Sequence, residues 1–212
     1  MLGTIRQTCY KPDGMAKQRT GWPGARTGLA ITVPYAFNLS LEQELAPDIE
    51  RLYASLARFK IDDADLVTQY GPCVTVLIVD DTVHQDDLLE ALMRHVPGQT
   101  ALCVTFAEPC IIHGLPPTLG IRVRPTDELL ALHYALFRSL PEQTVHLHYR
   151  PAYWQPHVKL ANIRSDQATG TALVSAVSEI WRETDGNLDG LEVVRYSPVE
   201  TIWQAPLRRA GV

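Results

Sequence analysis

Three times in this chain, one strand-like run follows another with no helix between them. "TALCVTFAEP" (100–109) precedes "LGIRVRP" (119–125), and "TVHLHY" (144–149) precedes "HVKLANI" (157–163). "GLEVVRYSPVETIWQAP" (190–206) reads as a hairpin turning at Ser197-Pro198. A doubly wound parallel sheet alternates strand and helix one for one. Strand pairs interspersed with helices argue instead for an α+β chain built on antiparallel sheets.

The helices separate these pairs. Leu45, Ile49, Leu52, Leu56 and Phe59 recur at helical spacing, with Ser40 as a predicted N-cap, Gln43 as its capping-box partner and Pro47 in the first turn. "HQDDLLEALMRHV" (84–96) is amphipathic. Thr126 caps "TDELLALHYALFRSL", which stops before Pro141. "DQATGTALVSAVSEIWRETDG" reads as a helix closed near Gly186. "GLAITVPYAF" supplies a first strand ended by Pro34, and "CVTVLIVDD" a buried one. The order is β-α-β-α-β-β-α-β-β-α-β-β. Each half carries a helix, a strand suited to phosphate and another helix, so the chain looks roughly duplicated.

A length of 212 residues suits one domain, or two lobes sharing a core. Residues 1–28 are Gly-rich and basic and read as an irregular lead segment, leaving 29–212 as the domain. No apolar run reaches the ~18 residues that span a bilayer, and no secretory signal is evident, so no membrane partner and a cytoplasmic location are expected. The four cysteines, Cys9, Cys73, Cys103 and Cys110, form no C-x-x-C pair and are expected to stay reduced. A net charge of −5 argues against a general nucleic-acid coating surface, and no DNA partner is expected. It leaves room for a small basic pocket around one phosphate.

The chemistry concentrates in two strands. In "WQPHVKL", Val158 and Leu160 point one way, and His157 and Lys159 the other. An amine on a half-buried strand is costly unless it faces water or an anion, so that face looks into a cleft. "YGPCVTV" repeats the arrangement: Val74, Val76 and Ile78 form one face, Cys73 and Thr75 the other. Cys73 and His157 stand 84 positions apart, each directly after a proline that holds the preceding residue extended. A second "CVT", at Cys103 to Thr105, lacks that proline.

These paired motifs, Pro-Cys-Val-Thr-Val and Pro-His-Val-Lys-Leu, together with "LGIRVRPTDELLALHYALFRSL" leading into "YRPAYWQPHVKLANI", resemble the two-histidine (2H) phosphoesterases. This is the superfamily of 2'-5' RNA ligases and cyclic phosphodiesterases, and the resemblance covers roughly residues 29–205. It implies a bilobal fold of two antiparallel sheets with helices outside and a pseudo-two-fold duplication around a central groove. It also implies action on 2',3'-cyclic or 2'-5' phosphoester bonds of RNA or small nucleotides, with no cofactor and no metal. One histidine then removes a proton and the other delivers one, while hydroxyls hold the phosphoryl oxygens. His157 matches the second histidine and Thr75 the first hydroxyl. Cys73 stands in place of the first histidine, and Lys159 in place of the second hydroxyl. A thiol near pKa ~8.5 is a mediocre acid–base group at neutral pH, and a lysine holds phosphate as a point charge. Phosphate binding without turnover is therefore the alternative.

Around these four, Arg122 and Arg124 share a strand face, either adding positive charge to the groove or forming ion pairs along it. Tyr153 and Trp154 either stack on a base or pack at the lobe junction. His133, among leucines, reads as a packing residue. His146 and His148 share a predicted strand face, but the sequence places no carboxylate with them, which argues against a metal site.

Overall fold

A computed structural model of the chain describes residues 35–56, 59, 71–113, 117–163, 167–196 and 199–208. The lead segment 1–28, the expected strand at 29–34 and the Ser197-Pro198 turn lie outside the described residues. The described strands are β1 (Tyr35–Leu41), β2 (Cys73–Val79), β3 (Leu102–Ile112), β4 (Thr118–Arg124), β5 (His157–Asn162), β6 (Thr184–Arg195) and β7 (Glu200–Pro206). The helices are α1 (Ala46–Leu56), α2 (Gln85–His95), α3 (Asp127–Arg138) and α4 (Gln167–Ile180). No described helix is long and apolar enough to cross a membrane.

The α+β, antiparallel expectation holds, but the two expected sheets are one. Seven strands run in the order β1-β2-β5-β4-β3-β6-β7, with every pairing between them antiparallel, and β1 also pairs with β6. The order thus returns on itself. The device that joins the halves is the length of β6. Its first residues, Thr184–Leu188, pair with β3; Leu188–Arg195 pair with β1; and β7 covers Gly190–Arg195 on the edge that β3 leaves. The helix expected to close near Gly186 ends at Ile180, and Gly186 is a β6 residue opposite Val104. A side chain there would collide with Leu45.

On the other side the ring closes through a single rung, Val74 on β2 opposite Val158 on β5. Beyond it, β2 turns to other partners. The Trp154 indole donates to the Thr75 carbonyl at 3.0 Å, the His146 amide donates to the Ile78 carbonyl at 2.9 Å, and Val145 bridges Val79. The segment "TVHLHY", expected as a strand, is therefore two 3-10 turns, Glu142–Thr144 and Leu147–Tyr149, laid along β2. His146 and His148 sit on this turn rather than on a strand face, with ring centroids 5.4 Å apart.

Local chemistry accounts for the helices. The Thr126 side chain accepts from the Leu129 amide at 3.3 Å and caps α3 as expected. Ser40 caps nothing, because it lies inside β1, opposite Cys73. The helices pack α1 with α4 and α2 with α3, with α3 against β2 and α4 against β3 and β4. Ile49, Leu52, Leu92, Leu129 and Val177 bury against Phe37, Leu39, Val74, Ile121, Val158 and Leu191 in one continuous core.

Trp154 wedges this junction. It is buried, its ring stacked on His133 at 3.9 Å between centroids, and the His133 Nε2–H donates to the Tyr149 carbonyl at 2.9 Å. Trp154→Phe keeps the stacking but strands the Thr75 carbonyl. It is expected to cost about 1–3 kcal/mol of stability, read by chemical denaturation at unchanged m-value.

Candidate functional site

The Val74–Val158 rung sets the site. Residues opposite one another in an antiparallel pair share a face, and neighbours along a strand alternate. Val74 and Val158 both point into the core and are fully buried. Cys73 and Thr75 on β2 and His157 and Lys159 on β5 therefore share the opposite face, with Cys73 beside Lys159 and Thr75 beside His157. The four side chains expected to line a groove thus lie on one face of the sheet.

The expected alternation of β2 breaks above this point. Asn38 pairs with Thr75 but Phe37 pairs with Leu77, so Val76 is an extra residue and the pattern reverses beyond it. Ile78, expected in the core with Val74, lies opposite Ala36 on the same face as Thr75, and it is only half-buried.

Continuing the face across the sheet, each strand adds a polar side chain in register: Arg122 (β4), His157 (β5), Thr75 (β2), Asn38 (β1) and Glu192 (β6). A second row runs beside it: Gly120, Lys159, Cys73, Ser40 and Gly190, all small but Lys159. Gly120 is required by the site itself. A Cβ there would stand 2.9 Å from the Val158 carbonyl oxygen and 3.0 Å from Cδ2 of the His157 ring.

His157 is held in one tautomer. Its Nδ1 lies 2.7 Å from the Gln155 carbonyl oxygen, which can only accept, so Nδ1 carries the proton and Nε2 keeps a lone pair. Burial pushes its pKa below the ordinary histidine value; the Gln155 bond opposes this, and the charges of Lys159 and Arg122 add to the lowering. At neutral pH it is an uncharged imidazole. The Tyr53 hydroxyl donates to the Lys159 carbonyl at 3.0 Å, so α1 fixes the β5 backbone beneath it.

Cys73 is the opposite case. Burial pushes its thiol far above the ordinary range, and the charge of Glu192 adds to this, against the Thr75 hydroxyl and Lys159. It stays a neutral thiol throughout the physiological range. Thr75 donates its proton to Asn38 Oδ1 at 2.9 Å, and Asn38 Nδ2 donates to Glu192 Oε1 at 3.3 Å. Asn38 is wholly buried and Glu192 nearly so. Burial raises the Glu192 pKa, with the Asn38 bond opposing.

The outer candidates separate. Arg122 stands opposite His157 and is ion-paired to Glu108 at 2.7 Å. Arg124 shares its face but pairs with Glu183 at 2.6 Å, at the exposed end of β4. Trp154 is buried and stacked on His133, and Tyr153 is exposed. Asn38, Glu192, Tyr53 and Gly120 were missed. Glu192 carried the signal that singled out Lys159, a charge inside an apolar strand ("GLEVVRY"), and Asn38 interrupts "YAFNLSL" in the same way.

Two expectations follow. Gly120→Ala overpacks the groove against backbone and the His157 ring. It is expected to cost about 1–3 kcal/mol, read as a fall in Tm. Glu192 has a raised folded-state pKa, so its folded form holds the proton more tightly than its unfolded form. Stability therefore falls as pH rises from the ordinary glutamate range, about 4.3, through the raised value. Glu192→Gln removes that loss: its Tm exceeds the parent's at pH 8, and the gap closes below pH 4.

No family model matches the sequence, and no curated protein matches it. The fold, by contrast, is similar to solved structures. TT0787 of Thermus thermophilus superimposes at a TM-score of 0.61 with 13% identity, covering 84% of this chain and 100% of that one. E. coli LigT in apo form gives 0.56 with 11% identity, covering 84% and 98%. LigT complexed with 3'-AMP gives 0.51 with 11% identity, covering 84% and 99%. These neighbours are 2H phosphoesterases, and the chain has their fold.

Proposed function

We propose that the chain acts on 2',3'-cyclic or 2'-5' phosphoester bonds of RNA or small nucleotides, with His157 as its acid–base residue. The observation that carries this reading is the single Val74–Val158 rung, which aligns Cys73 and Thr75 with His157 and Lys159 on one face. The pairing also supports the duplication. Among the described elements each half runs β-α-β-α-β, in β1 to β3 and in β4 to β6, and the two motif strands meet antiparallel, as a two-fold relation requires.

The chemistry is then one-sided. A phosphoester seated over the face meets positive charge from Lys159, with Arg122 at its edge. His157 Nε2, with its lone pair directed by the Gln155 bond, takes the proton of the attacking water or ribose hydroxyl. On the far side of the phosphorus a leaving oxygen needs a proton, and Cys73 offers only a neutral thiol of very high pKa, a weak acid and no base. Turnover is therefore expected to be slow relative to a two-histidine site. That same thiol favours a second reading, a phosphate- or nucleotide-binding protein that does not turn its ligand over.

Hydrolysis of a 2',3'-cyclic nucleotide decides between them. On the enzyme reading, His157→Ala lowers kcat by roughly 10²–10⁴-fold, the usual contribution of a positioned base, and Cys73→His raises it. Binding of 3'-AMP with no turnover above a His157→Ala background sinks the enzyme reading and leaves the binder. The pH profile adds a check. The acid limb of kcat/KM should fall below about pH 6.5, the ordinary histidine value, and Lys159→Met should move it upward while burial still keeps it low. An acid limb unmoved by Lys159→Met contradicts the shared face.

A further inference from the structure

We infer that Asn38 and Glu192 are positioning residues that set the direction of the Thr75 hydroxyl proton, so that the protonation of Glu192 switches Thr75 between acceptor and donor towards the groove. This deepens the phosphate-groove reading and rests on it. The chain of bonds is short and buried. Thr75 Oγ1 donates to Asn38 Oδ1 at 2.9 Å, and Asn38 Nδ2 donates to Glu192 Oε1 at 3.3 Å. An ionised carboxylate can only accept, so it draws the NH₂ end of the Asn38 amide to itself. The amide oxygen is left facing Thr75, and the hydroxyl must give it its one proton. In this state Thr75 shows the groove lone pairs, which repel a phosphoryl oxygen.

With a solvent proton on Glu192 the pattern can reverse. The carboxyl O–H donates to the Asn38 oxygen after a half-turn of the amide, Nδ2 donates to Thr75 Oγ1, and the Thr75 proton is released to a phosphoryl oxygen. Every buried group keeps a partner in both states, so neither incurs the cost of an unsatisfied polar atom. The Cys73 thiol also lies within hydrogen-bond reach of the Thr75 hydroxyl, as a weaker partner than the Asn38 amide. Cys73 faces Glu192 from β2 as a neutral thiol, Lys159 lies beyond Cys73 on β5, and Gln204 stands opposite on β7. Burial raises the pKa of Glu192 and brings the protonated state nearer neutrality.

The test titrates inorganic phosphate into the full chain from pH 5 to pH 8 and follows the penalty of Thr75→Val, a ratio in which the titration of His157 cancels. At pH 8 that penalty should be under about twofold in the parent and roughly tenfold in Glu192→Gln, the size of one hydrogen bond to a charged ligand. In the parent it should grow as pH falls. An equal penalty in both backgrounds at every pH overturns the relay, while weakening by Lys159→Met still upholds the groove. No phosphate binding by the parent at any pH overturns the groove reading and the relay with it. A second measurement needs no variant: the Asn38 side-chain amide resonances should shift with the midpoint of the Glu192 carboxyl, and resonances that stay fixed as the carboxyl titrates overturn the switch.

Discussion

The site depends on one pair of residues meeting across an antiparallel seam. Val74 and Val158 are the only rung between β2 and β5 in the described sheet, and both are buried against the helices. Because side chains alternate, burying these two valines forces their four neighbours onto the other face together. The hydrophobic effect thus positions the polar groups: two apolar side chains, each worth about 1.5–3 kcal/mol when fully buried, fix the register of cations, hydroxyl and base. A longer ladder would seal β2 to β5. A single rung, with Trp154 and the 142–149 turn taking the Thr75 and Ile78 carbonyls, holds the motifs in register.

Charge on this face is balanced rather than uniformly positive. Burial lowers the pKa of His157 and raises that of Cys73; the charges of Lys159 and Arg122 add to the first shift and that of Glu192 to the second. The two motif residues are therefore driven apart in chemistry. His157 stays an uncharged imidazole at neutral pH, and Cys73 a thiol that keeps its proton. A histidine in place of Cys73 would meet the carboxylate of Glu192, which favours an imidazolium, the protonated partner that a leaving oxygen requires.

Much of this was legible in the sequence, for identifiable reasons. The strands "CVTVLIV" and "HVKLAN", the Thr126 cap and the antiparallel class follow from local patterns that the fold left intact. The same holds for the shared face of Cys73, Thr75, His157 and Lys159. Failures came where a distant partner overrode a local pattern. Ser40 has the chemistry of a cap but was claimed by β1. "TVHLHY" has strand composition, but β2 had room for only one bridge to it. "WRETDG" continues a helical pattern, yet the pairing of β6 with β3 extended it into strand. The Val76 bulge, which reverses the faces of β2, leaves no trace in an unbroken apolar run.

The single-sheet closure bears on the site for the same reason. Had the strands been split between separate sheets, nothing would fix the separation of Glu192 from His157. Because β6 pairs with β1 and β1 with β2, the register of β6 carries through Asn38 to Thr75, and the single rung carries it on to β5. A polar row across five strands is then one rigid object rather than two facing clusters. Groups of this kind hold their geometry only when each member is satisfied. Here the row is satisfied by a carboxylate at one end and the Glu108–Arg122 ion pair at the other, with the imidazole between them. The base and the hydroxyl of the proposed site are thereby anchored to opposite electrostatic ends of one sheet.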